Sequence, residues 1–346
     1  MKEVDPQSSS SAQSLFSAAL LALVLLSCLS ADMLARSKTL QMWTTALSSA
    51  FAAKNNTVFS DTGSFLDFEE RVLLDEIPHT DYTKGGIYFF GTSNMKWAFS
   101  TWDLPPQQQE ELHNYGIGAS NHKDQLGFIR FLIERYGFLG AGTRDVVVLG
   151  VSFHLAHVDG PAGGYWAALL RRRGLYRLTD SGRMEPAAMN PVVHWLRVEQ
   201  ARSSGFIWNV GRLLQAAAKA HLIATKPIKH DATKYQAGWR EFMGARWQQN
   251  MDEAMIDLQQ TIDLVRSHGA QIKIVLLPQG SWMDGLPFGA RYYHEVRDVC
   301  AKTGTPLIDL SHSLADNDFV DSNHLTVLGQ HEFRNILTSA LEIPGR

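Results

Sequence analysis

Apolar positions fall into short runs and helical stripes that alternate along most of this chain. Residues 85–90 predict a buried strand, because Ile87-Tyr88-Phe89-Phe90 is a compact apolar run with Gly85-Gly86 before it and Gly91 after it. Residues 145–150 predict a second buried strand, and 272–277 and 306–310 predict two further strands. Helical spacing separates them. Leu126, Ile129, Leu132 and Ile133 share one face over 125–136, and further helices are predicted over 250–268, 292–302 and 325–341. A helix over 95–102 follows Ser93 and is broken by Pro105-Pro106, whereas 113–119 reads as a loop. Strand, loop, helix and strand in repeated order is the signature of a parallel α/β sheet.

Two stretches depart from that rhythm. Residues 160–249 are less regular and read as an insertion over the sheet; they hold Arg171-Arg172-Arg173, a helix candidate at 208–223 and a polar aromatic stretch. At the other end, residues 6–31 contain no charge, and 15–29 are rich in Leu, Ala and Val. About 20 such residues span a bilayer as a helix. Three readings apply: a retained signal anchor, a cleaved signal peptide, or a lipidated Cys28. The long polar lead with Glu3 and Asp5 suits an anchor better than a cleaved signal. All three place the remainder outside the cytoplasm if the segment directs export. The expected layout is therefore an anchor at 1–35, a linker and N-terminal extension at 36–84 with helical spacing at 42–53, and a main domain at 85–346.

Bulk properties narrow the function. The 346 residues suffice for one large or two modest domains, and a net charge of −3 without a basic domain argues against nucleic-acid binding. Cys28 and Cys300 are the only cysteines, and the position of Cys28 in the apolar segment argues against a disulfide within the domain. No CxxC or HExxH pattern occurs, so neither metal nor cofactor is expected.

Candidate chemistry sits in two short motifs. Gly91-Thr92-Ser93-Asn94 follows the first strand, and Asp321-Ser322-Asn323-His324 precedes the last helix. A serine hydroxyl needs a base to take its proton, which selects His324. An imidazole needs a carboxylate to hold one tautomer, which selects Asp321. Oxyanion donors would come from the N–H groups of Ser93 and the Gly118-Ala119 loop, with the Ser152 hydroxyl as a third. Asn94 and His154 are candidates to line the site. The plainer alternative makes 91–94 a turn, Asp321 a helix cap and His154 a structural loop residue. By the same caution His122 reads as a solvated helix-start residue, and Arg171 to Arg173 as a solvated basic turn. Trp239, Trp247 and Trp282 could each stack on sugar rings.

These residues, in this order, resemble the SGNH (GDSL-like) hydrolase superfamily. Residues 87–93 are similar to its first block, with Thr92 where the family has Asp. Asn114 to Ala119 resembles its second block, with Ala119 at the final Gly position. Residues 146–152 resemble the third, with Ser152 in place of an Asn donor. Asp321-Ser322-Asn323-His324-Leu325 with Gly329 is similar to the last. The resemblance implies a flavodoxin-like three-layer fold around a parallel sheet, carried here behind a transmembrane helix. It further implies a Ser93, His324, Asp321 nucleophilic site without metal. Its membrane-anchored members suggest an O-acyl esterase or O-acyltransferase acting on a periplasmic or cell-surface polysaccharide, for example a cellulose- or alginate-like polymer. A membrane acyltransferase or polymer synthase would be the partner. Two other readings stay open: a generic carboxylesterase or lipase, and a non-catalytic accessory subunit that binds polymer or partner proteins.

Overall fold

A computed structural model describes residues 68–98, 110–157, most of 161–201 and 229–343, with isolated positions elsewhere. Apart from such isolated positions, the expected anchor at 1–35, the 42–53 helix, the Pro105-Pro106 break and the 208–223 helix lie outside the described residues. Among the described residues no helix is long and apolar enough to cross a membrane.

Five parallel strands form the centre: β1 (Gly86–Phe90), β2 (Leu112–Asn114), β3 (Asp145–Val151), β6 (Gln271–Leu276) and β7 (Leu307–Asp309), in the order β2-β1-β3-β6-β7. The separate antiparallel pair β4 (Tyr176–Leu178) and β5 (Met184–Pro186) belongs to the insertion. The central strands are apolar on both faces: Phe89, Phe90, Val147, Val148, Leu149, Ile274, Val275 and Leu276 are fully buried, as helix-covered parallel sheets require.

Helices flank the sheet. The helical segment at 68–79 is α1. It is followed by α2 (Ser93–Ala98), α3 (His122–Tyr136), α4 (Gly164–Arg172), α5 (Ala232–Met243), α6 (Trp247–Ser267), α7 (Pro287–Thr303) and α8 (Val327–Ala340). Helix α6 packs against α3 and α7, whereas α8 packs against α2. Local chemistry fixes the helix ends. Asn121 and Asp124 form a reciprocal capping box at the start of α3, and Gly137 closes it with φ 68°. Thr326 caps α8 by accepting from Gly329 N–H at 3.0 Å.

Two expectations are corrected. Residues 113–119 are not all loop, because Leu112–Asn114 forms the edge strand β2. Its three residues carry no apolar run; His113 is held instead by stacking on Tyr88 at 5.0 Å. Helix α3 begins at His122, three residues before the apolar stripe, and His122 is buried, its Nε2 lying 2.7 Å from the Tyr292 hydroxyl. Other boundaries shift by a few residues, most at the starts of α6 and α7.

The strand order reverses direction between β1 and β3, and ligands of open α/β sheets bind beyond the carboxyl ends at such a switch point. Phe90 pairs with Leu149 in register. Ser93 and Ser152 each lie three residues past that aligned pair.

Candidate active site

Ser93 is the first residue of α2, directly past the β1 rim. Gly91 makes the exit from the strand possible. Its φ is 148°, and a Cβ there would lie 2.7 Å from Gly150 O and 2.8 Å from Met95 Cβ. Thr92 is buried, and its carbonyl accepts the first helical bond, from Lys96 N–H at 2.9 Å.

The second motif is folded by its own polar groups. Asp321 Oδ1 accepts from the N–H groups of Asn323 at 2.9 Å and His324 at 2.8 Å. Val320 N–H donates to His324 O at 2.8 Å, and Phe319 bridges to Leu325. Asp321 is therefore not the cap of α8; that role belongs to Thr326. Trp282 Nε1–H donates to Ser322 O at 2.9 Å and its ring packs on Phe319. Trp282 is buried, which removes it as a sugar platform and makes it a brace for this loop. Helix α5 of the insertion supports the brace in turn, through Gln236 Nε2–H to Trp282 O at 2.8 Å.

The two motifs meet. His324 Nε2 lies 3.0 Å from Ser93 Oγ, and His324 Nδ1 lies 2.8 Å from Asp321 Oδ2. Asn323 Nδ2–H donates to Asn94 Oδ1 at 3.2 Å, bonding one loop to the other. Burial pushes the Asp321 carboxyl up. The His324 ring and the Asn323 and His324 N–H groups outweigh it, and the group stays below the usual carboxylate range. An ionised carboxylate only accepts, so the ring proton sits on Nδ1 and Nε2 presents its lone pair to the serine hydroxyl. That arrangement can deprotonate Ser93.

The expected oxyanion donors fare differently. Ala119 adopts φ 52°, a left-handed conformation that suits glycine, which is the residue the resemblance places there. The Asn114 side chain ties the 114–119 loop to α2: its Nδ2–H donates to Met95 O at 3.1 Å and its Oδ1 accepts from Gly116 N–H at 3.0 Å. Gly118 N–H, however, donates to Glu69 Oε1 at 3.1 Å. The Ser152 hydroxyl lies 3.1 and 3.2 Å from the two ring nitrogens of His154. His154 is buried and stacks on Trp239 at 5.6 Å. Burial, with smaller contributions from His157 and His324, pulls its pKa down to about 3. It lies against Ser152, closed off from solvent.

Sequence reasoning missed Glu69, Lys96 and Asn323. Lys96 lies one helical turn after Ser93, which was a readable signal. Glu69 had none, since it precedes the first strand. Among the described residues no group of His, Cys, Asp or Glu is arranged to hold a metal.

No family model matches the chain, and no curated protein does. Among solved structures it is similar to a crystal structure from Bacteroides fragilis described as a "putative acylhydrolase". That likeness has 12% identity and a TM-score of 0.39, covering 78% of this chain and 93% of the other. At that score it carries no argument for function.

Proposed function

We propose that the chain is a serine esterase or acyltransferase of SGNH type that acts on O-acyl esters of a cell-surface polysaccharide. The observation that carries this reading is the Ser93–His324–Asp321 relay, with links of 3.0 and 2.8 Å, at the switch point of the sheet. Ser93 Oγ attacks the ester carbonyl while His324 Nε2 takes its proton. The tetrahedral oxyanion is received by the N–H groups of Ser93 and the 118–119 loop and by Ser152. Its collapse expels the alcohol, which takes the proton from His324 and leaves an acyl-serine. Water or a sugar hydroxyl then gives its proton to His324 and attacks the acyl carbonyl; the acyl–Oγ bond breaks, His324 returns the proton to Ser93 Oγ, and the acid or the new ester leaves. General-base assistance of this kind contributes about 10²–10⁴-fold.

The polymer target rests on the resemblance of the motifs and on the apolar N-terminal segment, which would tether the domain outside the cytoplasm. A membrane acyltransferase or polymer synthase would supply or share the acyl group. A second reading, a non-catalytic polymer-binding subunit, draws on the engaged Gly118 N–H and on Ser152 in place of Asn.

The test is intact-mass labelling of the full chain with a serine-directed fluorophosphonate. One adduct on the parent is expected, lost in Ser93→Ala and His324→Ala. No adduct on a folded parent, with retained polymer binding, would replace the enzyme by the binding subunit. Acetyl release or transfer from an acetylated polysaccharide then separates esterase from transferase.

A further inference from the structure

The spot where an acyl oxygen would take the Gly118 N–H is already filled by a carboxylate of the chain itself. Glu69 Oε1 accepts from that N–H at 3.1 Å and from Lys96 Nζ at 2.6 Å. A methyl group on Gly118 would lie 3.1 Å from Glu69 Oε1 and 4.0 Å from Ser93 Cβ, so the carboxylate and the serine flank one small space. Lys96 is itself nearly buried, and its ammonium also rests 4.2 Å from the Trp97 ring centre. A nearly buried cation and a backbone donor aimed at one point form a site for an anion.

Resting on the nucleophile reading above, we propose that Lys96 and the Gly118 N–H form a carboxylate-binding subsite beside Ser93, with Glu69 as its built-in occupant. The occupant must withdraw before an acyl oxygen can use that donor. An oxyanion needs the donor at about 2.7–3.1 Å, the range Glu69 Oε1 now occupies, and one N–H cannot serve both. The withdrawal is a side-chain swing. The backbone of α1 is anchored by buried Val72, Leu73 and Ile77, by the Glu70–Arg173 ion pair and by His113 Nδ1 lying 3.5 Å from Glu76 Oε1. The described conformation is thus self-blocked at one oxyanion donor, and an external carboxylate of the size of acetate, the product of deacetylation, fits the vacated place.

Two readouts on the full chain test this. The first is acetate binding, followed by line broadening of ¹³C-acetate on a Ser93→Ala background. Adding Glu69→Ala should create binding that the background lacks, and further adding Lys96→Met should remove it. The second is the rate of fluorophosphonate labelling in chains that keep Ser93. Glu69→Ala and Glu69→Leu, which carry no acceptor oxygen, should label about 10-fold faster than the parent, because a donor worth about 10²–10³ is partly released. If Glu69→Ala fails to fold, Glu69→Leu carries the rate comparison. Where the parent labels, a Glu69 variant that labels no faster, or in any case no acetate binding after Glu69 is removed, overturns the proposal and leaves Glu69 an anchor of the loop. If acetate binds but no chain is labelled, the subsite stands and the assignment of Ser93 as nucleophile falls.

Discussion

His324 and His154 both lie near the carboxyl-end rim of the sheet, and the same side chain has opposite properties in each place. His324 keeps 28% of its side chain exposed and has Asp321 at 2.8 Å. His154 is 6% exposed, has no carboxylate among its hydrogen-bond partners, and stacks on Trp239. Burial without a counter-charge holds His154 neutral far below the ordinary pKa of 6.5. A histidine becomes a base by having an open face and a fixed tautomer, and the C-terminal loop supplies both. Behind β3 the imidazole is packing with a polar edge.

The widest separation between the two should appear in acylation. Asp321→Asn removes the tautomer lock, and its labelling rate should fall by roughly 10³–10⁴, as triad-type sites behave. His154→Gln should stay within about fivefold of the parent rate while its unfolding free energy drops about 1–3 kcal/mol, since a buried hydroxyl loses its partner and a stacked ring is gone. Equal losses of rate in both variants would erase the distinction.

Acid titration of stability comes next in size. His122 and His154 are both pulled down to about 3, chiefly by burial and secondarily by neighbouring histidines. Their unfolded value is near 6.5, so between those limits the unfolded chain binds the protons more readily. The stability tied to the neutral rings is full above pH 6.5 and drains as pH falls toward about 3. Asp321, held low, adds a loss only as pH falls through its own depressed value. Denaturant midpoints measured from pH 7.5 to 4 should therefore slope downward, and His122→Gln should flatten the curve. A slope unchanged in that variant would assign the acid loss elsewhere.

The smallest effect concerns the 114–119 loop that follows β2. Ala119 sits at φ 52°, where an L side chain costs about 1–2 kcal/mol and glycine does not. Ala119→Gly should raise stability by about 0.5 kcal/mol after the entropy that glycine loses on folding. Thermal melts of the two chains measure it, and a drop would mean that the alanine methyl makes a contact worth more than the strain.

Much of the architecture was legible in the sequence because it is local. The apolar runs at 85–90, 145–150 and 272–277 became β1, β3 and β6, since a run without alternation is covered on both faces, and 306–310 became the half-buried edge strand β7. The edge strand β2 was not legible: Leu112–Asn114 gains its pairing from β1 and its burial from Tyr88, neither of which is written within three residues. His122 was misjudged for the same reason, because its cover is Tyr292, 170 positions away.

The site divides along that line too. Residue types and their order pointed to Ser93, Asp321 and His324 as partners, because activating a serine hydroxyl admits few combinations and Asp-x-x-His can close its own turn. What the chain order alone could not decide is which groups share a few ångströms. That Asn323 bonds to Asn94, that Trp282 braces Ser322, that His154 turns inward with Ser152, and that Glu69 occupies the Gly118 donor are outcomes of packing. Local periodicity and side-chain chemistry determine the elements and the candidates. Only the tertiary fold brings distant groups to hydrogen-bond distance and removes water from some of them, and those two effects set which donors stay open and which imidazole can take a proton.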